Sequence, residues 1–131
     1  MKHIIVIPVF NDWKSLNKLL LQLNKNLEKP KKINHEILII NDNSSEKIKL
    51  KLKKLKILKN IKILSLNKNF GSQISIAIGL NYLKKIKGNF YITVMDADGE
   101  DNPRQVNRML KEAINNQSLV ITSNRKKRKE A

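Results

Sequence analysis

Residues 4–10 are Ile-Ile-Val-Ile-Pro-Val-Phe, and the polar pair Asn11-Asp12 follows at once. A continuous apolar run of this length, rich in β-branched residues, is typical of a strand that is buried on both faces of a parallel sheet. Pro8 and the lack of a small-residue cleavage site argue against a secretory signal. The run therefore predicts a first strand in the interior of a parallel α/β sheet.

Strand and helix patterns alternate from this strand onward. Apolar residues at helical spacing from Trp13 to Leu27 predict a first helix, which Asn11 or Asp12 is placed to cap. Later strands are predicted at residues 35–40, 61–66, 90–95 and 119–122. Two later helices are predicted, one carrying Ile74, Ala77, Ile78 and Leu80, and one beginning at Pro103 with Val106, Met109, Leu110 and Ala113 on its inner face. This alternation predicts a doubly wound, mainly parallel sheet with right-handed crossovers.

The lysine-rich segment that begins at about residue 45 fits two structures. Ile48, Leu52, Leu55 and Leu58 form one helical stripe, with lysine on most of the remaining surface. The local alternation KIKLKLKKLK also fits a strand. We expect a helix here, with a strand as the alternative.

Length and composition indicate one domain and exclude several kinds of site. The chain has 131 residues, no cysteine and a formal net charge of +16. We expect a βα core at residues 1–122 and a basic tail at residues 123–131. The lack of cysteine excludes disulfides and thiolate metal sites, and no run approaches the about 20 apolar residues of a membrane span. Most of the lysines are expected to lie on solvated faces, and the alternative is a basic module that binds nucleic acid or an anionic membrane surface.

Polar residues follow each of the first four predicted strands. They are Asn11 and Asp12, then Asn41 and Asp42, then residues 67–71, and finally residues 96–101. In a parallel sheet these strand ends lie along one edge, where open α/β sheets bind their ligands. Turns are generally polar, but a turn requirement alone does not account for four acids between residues 96 and 101 in a chain with 11 acids in all.

The sequence DADGED at residues 96–101 predicts a divalent metal site. Carboxylates as close as Asp96 and Asp98 repel one another unless a cation lies between them, and oxygen ligands favour Mg²⁺ or Mn²⁺. A calcium EF-hand does not fit, because Gly99 is the fourth residue of the loop instead of the sixth and Asn107 stands where a bidentate glutamate is needed. Glycine-rich dinucleotide and phosphate-loop motifs are also missing. We therefore expect a metal to hold the phosphates of a nucleoside diphosphate.

Five motifs in order and spacing resemble those of the inverting family 2 glycosyltransferases with the GT-A fold. They are IPVFND, IINDNSS, NKNFGSQISIAIGL, VMDADGEDNP and VITSNRKKR, and together they extend over essentially the whole chain. Within that family the sequence is most similar to the branch of dolichol-phosphate mannosyltransferase and bacterial polyprenyl-phosphate glycosyltransferases. The resemblance implies a nucleotide-sugar-binding part at residues 1–131 and transfer of a hexose from a UDP- or GDP-sugar.

The resemblance assigns nucleotide-sugar binding to the ends of the first three strands. Pro8, Phe10 and Asp12 match the family segment PxYNE, with Phe for Tyr and Asp for Glu. Asn69 and Gly71 match NxG, beside the nucleoside and the pyrophosphate. Helix capping by Asp12, and simple turn formation by Asn69 and Gly71, are the open alternatives.

The second strand end matches VDDGS, in which the second acid bonds the base. Asp42 takes that place, whereas Asn41 replaces the first acid and Asn43 replaces the glycine. A local turn made by the Asp42 side chain is the alternative.

The acidic stretch matches the metal-binding Asp-x-Asp motif. The resemblance implies that Asp96 and Asp98 bind Mg²⁺ or Mn²⁺ on the donor diphosphate, with Asp96 also near the ribose. Glu100 stands where the polyprenyl-phosphate branch often has glutamine, so we expect it as a third ligand. Arg125 matches the arginine of GSR near the phosphates, with Arg128 assisting it, and a solvated charge is the alternative. Asp98, Glu100 and Arg125 are the expected catalytic residues.

The resemblance also predicts what lies outside this sequence. Family members continue into an acceptor half, so we expect a chain shortened before that half, with an uncovered sheet edge that an oligomer or a partner would cover. The expected acceptor is polyprenyl phosphate or a precursor of a cell-envelope glycan, and nucleic acid is not expected as a partner. The expected location is cytoplasmic, at the cytoplasmic face of the membrane. An inactive donor-binding fragment remains an alternative.

Overall fold

The computed structural model describes residues 1–29, 32–53, 55–98 and 102–116. Four strands and three helices occur there, and they are β1 (Lys2–Val9), α1 (Trp13–Asn26), β2 (Asn34–Asn41), β3 (Leu58–Ser65), α2 (Ser72–Leu83), β4 (Phe90–Val94) and α3 (Pro103–Asn116). The strands form one parallel sheet in the order β3-β2-β1-β4. The predicted doubly wound α/β class is thus confirmed, and the predicted strand at 119–122 lies outside the described residues.

The two central strands are buried and the two outer strands are partly exposed. Every residue of β1 after Lys2 is buried, and every residue of β2 after Asn34 is buried. Most residues of β3 and β4 are exposed or half-buried, and Ile92 and Val94 of β4 remain 40% and 42% exposed. The continuous apolar runs in β1 and β2 follow from their central positions, because a central strand is covered on both faces.

Helices cover the sheet from both sides. On one side, Ile5, Ile7, Ile37 and Ile39 pack with the leucines of α1 and with Val106 of α3 in one cluster. On the other side, Ile4, Val6, Leu38 and Ile40 form a second cluster with Leu83 of α2. Alternate residues of each strand thus enter opposite clusters, as the two-residue period of a strand requires.

Helix α2 approaches the sheet through a face of small residues. Ser75, Gly79 and Leu83 are its buried residues, whereas Ile74 is 52% exposed. A Cβ atom added to Gly79 would lie 2.8 Å from Cδ1 of Ile40, so the absence of a side chain at Gly79 allows the close approach of α2 to the sheet. The apolar residues that predicted this helix therefore lie largely off its buried face.

The predicted lysine-rich helix after residue 45 is wrong. Residues 43–53 and 55–57 contain no helix, and Leu58 begins strand β3. Asn17 of α1 donates from Nδ2 to the carbonyl of Lys49 at 2.6 Å and accepts from the Lys51 amide at Oδ1 at 2.9 Å. About two helical turns further along α1, Oδ1 of Asn24 accepts from the Ile57 amide at 2.8 Å. Side chains of α1 thus satisfy backbone groups that a helix would have paired internally, and we call residues 49–53 and 55–57 the strap.

Two histidines join the sheet at the end opposite the polar loops. Nδ1 of His3 lies 2.8 Å from Nδ1 of His35, and both side chains are buried. Nε2 of His3 lies 2.8 Å from the Thr93 hydroxyl on β4, and Nε2 of His35 lies 2.6 Å from the carbonyl of Glu28. The Glu28 amide in turn donates to Oδ1 of Asn107 on α3 at 2.9 Å. This chain of polar contacts ties β4, β1 and β2 to the segment after α1 and to α3.

Within the described residues, no helix combines the length and the apolar character that crossing a bilayer demands.

Candidate functional site

The candidate site lies where the order of the strands reverses. From β1 the sheet extends through β2 to β3 on one side, whereas β4 lies on the other side of β1. The ladder between β1 and β4 continues to the bond from the Met95 amide to the carbonyl of Val6 at 3.0 Å. Asp96 and Asp98 thus follow β4 beside the loop that follows β1. Reversals of this kind open a crevice at the carboxyl ends of the strands, which is where such sheets bind ligands.

The loop after β1 presents two predicted nucleotide contacts to solvent. Pro8 is buried in the sheet, but Phe10 is 50% exposed and Asp12 is also exposed. Asp12 occupies the N-cap position of α1, yet its side chain makes no capping hydrogen bond. Of the two residues predicted to cap α1, Asn11 and Asp12, it is Asp12 that stands at the cap position, but its carboxylate is not used for capping. Phe10 and Asp12 therefore offer an aromatic face and a carboxylate at the mouth of the crevice.

The buried carboxylate of Asp42 organises the loop before α2. Asp42 is 3% exposed, and its Oδ1 accepts from the Phe70 amide at 2.8 Å. Its Oδ2 accepts from the Gly71 amide at 2.9 Å and from Nδ2 of Asn69 at 3.2 Å. Asp42, Asn69 and Gly71, predicted from separate motifs, are thus brought together at the ends of β2 and β3. Charge-assisted bonds of this kind are among the stronger hydrogen bonds in proteins, so they fix residues 69–71 firmly.

Gly71 leads directly into α2 and faces open space. Its φ of 89° lies in the region that favours glycine, and a Cβ atom placed there would meet no atom within 4 Å. Gly71 is the N-cap of α2, and no side chain caps this helix. The first-turn amides and the helix dipole favour negative charge at such a position.

The two acids that follow β4 lie on the side away from the core. Met95 and Ala97 are buried in the cluster beneath α1, whereas Asp96 is half-buried and Asp98 is exposed. This alternation of burial shows that Asp96 and Asp98 lie off the core face of the segment. Two carboxylates fit Mg²⁺ or Mn²⁺, since Mg²⁺ commonly takes one or two carboxylates and fills its other positions with water and substrate phosphate oxygens. In the described part of the chain, no group of three His, Cys, Asp or Glu residues is arranged to hold a metal.

Three predicted site residues lie outside the described residues. Glu100, predicted as a third metal ligand, and Arg125 and Arg128, predicted near the phosphates, are among them. Their roles stay predictions, as does the basic tail at residues 123–131.

Asn11, predicted only as a polar residue at the end of the first strand and a candidate cap of α1, joins two loops of the site. Its amide donates to the Ser44 hydroxyl at 2.9 Å, its Nδ2 donates to the Ser45 hydroxyl at 2.9 Å, and its Oδ1 accepts from the Glu46 amide at 2.9 Å. Asn11 has a φ of 60°, and Asn43 on the facing loop has a φ of 56°. Asparagine is one of the few residues that tolerate this backbone region, so asparagines at two strand ends were the available signal.

Comparison with known proteins indicates one family. Residues 4–131 match the family described as Glycosyl transferase family 2. An uncharacterized glycosyltransferase of Synechocystis sp., sll0501, is 32% identical over 127 residues, which are 96% of this chain and 38% of that protein. The uncharacterized glycosyltransferase YkcC of Bacillus subtilis is 32% identical over 111 residues, which are 84% of this chain and 33% of that protein. The chain thus spans less than half the length of these relatives.

Solved structures of S. aureus TarS share the fold. The complex of TarS 1–349 with UDP has a TM-score of 0.62 at 22% identity and covers 89% of this chain and 33% of the TarS chain. The complex with UDP-GlcNAc has a TM-score of 0.59 at 21% identity, covering 89% of this chain and 32% of the TarS chain. At this identity the likeness establishes the fold and leaves the ligand of this chain open.

Proposed function

Because the chain belongs to glycosyl transferase family 2, we propose that it forms the donor-binding part of an inverting, metal-dependent hexosyltransferase. The donor is a UDP- or GDP-sugar, and UDP is favoured by the UDP and UDP-GlcNAc complexes of the structurally similar TarS. The observation that carries the proposal is the strand order, which puts the ends of the neighbouring parallel strands β1 and β4 at one edge of the sheet, with Phe10 and Asp12 after β1 and Asp96 and Asp98 after β4. Open α/β sheets bind their ligands at this position.

Different residues of the site bind different parts of the donor. Phe10 and Asp12 contact the nucleoside at the β1 side, and Asp42 holds the Asn69–Gly71 loop beside the pyrophosphate. Oδ1 of Asp42 accepts one hydrogen bond and has a second lone pair for a base or ribose donor, whereas Oδ2 already accepts two bonds. Asp96 and Asp98 would hold Mg²⁺ or Mn²⁺, which would supply Lewis-acid neutralisation of the charge on the leaving diphosphate.

The transfer step places the acceptor opposite the leaving group. An acceptor oxygen attacks the anomeric carbon as the bond to the diphosphate breaks, and the configuration at that carbon inverts. Glu100 and Arg125 add negative and positive charge at the metal and the phosphates, respectively. An already ionised acceptor such as polyprenyl phosphate needs no general base, so we propose it, or a precursor of a cell-envelope glycan, as the acceptor. With such an acceptor, we propose that the protein works at the cytoplasmic face of the membrane.

Calorimetric titration of UDP and GDP in the presence of Mn²⁺ tests the donor site. We expect wild type to bind one of them, and we expect EDTA or the isosteric Asp98→Asn change to weaken binding by about tenfold or more, the factor that about 1.4 kcal/mol represents. Glu112→Gln on the exposed surface of α3 is the matched control for loss of one carboxylate and should leave the affinity unchanged.

Two outcomes would contradict the proposal. One is the absence of nucleotide binding, and the other is binding that neither EDTA nor Asp98→Asn changes. A basic binding module predicts instead a steeply salt-dependent affinity for RNA or anionic vesicles that survives Asp96→Asn.

A further inference from the structure

Asn11 connects the first two loops of the candidate site. It follows β1 directly between Phe10 and Asp12, and α1 begins at Trp13. Its left-handed backbone turns the chain sharply from the strand into the helix. Both neighbours of Asn11 are exposed, and its backbone conformation sets the direction in which the chain runs from Phe10 to Asp12.

The side chain of Asn11 uses both ends of its amide to hold the facing loop. Oδ1 accepts from the Glu46 amide and Nδ2 donates to the Ser45 hydroxyl, each at 2.9 Å. The backbone amide of Asn11 adds a third bond, to the Ser44 hydroxyl. On the other side of that loop, the Ser44 amide donates to Oδ1 of Asn41 at 3.0 Å. Ser44 and Ser45 are therefore held by hydrogen bonds to Asn11 at the end of β1 and to Asn41 at the end of β2.

We propose that Asn11 is a positioning residue for the nucleoside end of the donor, acting by bracing the loop after β1 against residues 44–46. This inference rests on the proposed donor-binding function. We call the three hydrogen bonds between Asn11 and residues 44–46 the brace. A loop that is ordered before the ligand arrives loses less conformational entropy on binding, so the brace raises affinity without contacting the ligand. Asparagine suits this role because its amide both donates and accepts and because it tolerates a positive φ.

The brace acts on one end of the donor only. Phe10 and Asp12 belong to the braced loop, whereas Asp96 and Asp98 belong to a different loop, the one that follows β4. Loss of the brace should therefore weaken the binding of a complete nucleotide and spare the binding of a diphosphate through the metal. A general loss of structure would weaken both.

The test compares Asn11→Gly with Asn43→Gly, using UDP and inorganic pyrophosphate as probes in Mn²⁺. Glycine retains the positive φ at either position, so Asn11→Gly removes the two side-chain bonds without backbone strain. Asn43 is the matched control, because it has the same backbone conformation on the facing loop and its side chain bonds no residue in the described ranges. We expect Asn11→Gly to raise the Kd for UDP about tenfold, the effect of losing one to two hydrogen bonds, and to leave the Kd for pyrophosphate unchanged. Ser45→Ala, which removes one of the two bonds, should give a smaller increase.

Three results overturn the inference: an equal loss of UDP and pyrophosphate binding, a UDP affinity no different from that of Asn43→Gly, or an unfolding midpoint that falls enough to account for the loss. If wild type binds neither probe, the proposed function and the binding role fail together. Hydrogen exchange at the Glu46 amide needs no ligand, so it tests the bond between Asn11 and Glu46 even when the proposed function fails. Its protection should fall in Asn11→Gly and persist in Asn43→Gly.

Discussion

The protons of the buried pair His3 and His35 have one arrangement when both rings are neutral. A carbonyl oxygen only accepts, so Nε2 of His35 must donate to the carbonyl of Glu28. Nδ1 of His35 then accepts from Nδ1 of His3, and Nε2 of His3 accepts from the hydroxyl of Thr93. Two Nδ1 atoms 2.8 Å apart share a single hydrogen, so the folded pair cannot take a proton on every ring nitrogen.

Burial and the neighbouring His35 lower the pKa of His3 from 6.5 to about 3. The unfolded chain therefore binds a proton at His3 below about pH 6.5, whereas the folded chain stays neutral there. The stability from this group is fully present above the unfolded pKa and is lost as the pH falls from about 6.5 toward 3. The slope approaches about 1.4 kcal/mol per pH unit.

Denaturant unfolding at several pH values between about 5 and 7.5 measures this effect. We expect wild type to lose stability across the range and His3→Gln to lose less, because one titrating group is gone. His3→Gln also loses stability at the upper pH, so the slopes and not the absolute values are compared. Equal slopes in the two proteins would show that His3 titrates normally in the fold. Above about pH 5 the surface carboxylates contribute little to either slope.

At the level of elements, the strap depends on α1 for partners that its own backbone does not supply. Asn17→Ala removes the bonds to Lys49 and Lys51. We expect the free energy of unfolding to fall by about 1–2 kcal/mol, since a typical intramolecular hydrogen bond contributes about 0.5–1.5 kcal/mol and these two are exposed. Hydrogen exchange at the Lys51 amide should accelerate as well. Chemical denaturation and exchange mass spectrometry provide the two readouts.

Two variants bracket that prediction. Asn17→Asp keeps the acceptor for the Lys51 amide and should cost less than Asn17→Ala. Lys18→Ala changes the next, exposed residue of α1 and should alter the stability by less than about 0.5 kcal/mol. If Asn17→Ala behaves like Lys18→Ala, the strap is held by Leu50, Leu55 and Ile57 in the apolar cluster and not by the asparagine.

At the level of the whole molecule, the excess of positive charge opposes compaction. Lys and Arg outnumber Asp and Glu by 27 to 11, and the described residues contain two ion pairs, Lys2 with Glu36 and Lys111 with Glu28. Self-repulsion among the lysines should be screened by salt. We expect the thermal midpoint to rise between about 10 mM and about 150 mM NaCl, over which the screening length falls from about 30 to about 8 Å. A midpoint that falls with salt would mean that favourable pairs dominate the surface.

Much of the fold and part of the site could be predicted from the sequence, for identifiable reasons. β1 and β2 are central, so burial on both faces leaves continuous apolar runs that mark them. The family membership, the parallel α/β class and the first residue of α3 at Pro103 are confirmed. The polyprenyl-phosphate branch, the metal and the acceptor stay predictions. The strap was missed because Asn17 and Asn24 act on residues more than 30 positions away, which no local pattern reveals. The His3–His35 chain depends on strand register in the same way.

Trp13, at the start of α1, is the only tryptophan of the chain. It is buried in the same cluster as Met95 and Ala97, the residues that alternate with the two acids after β4, and Nε1 of its indole has no hydrogen-bond partner among the described residues. It also directly follows Asp12. The chain therefore carries its own fluorophore beneath the crevice. Emission from this single indole should therefore respond to ligands that bind at the ends of β1 and β4, so titrations with metal and nucleotide can be followed by fluorescence without a label.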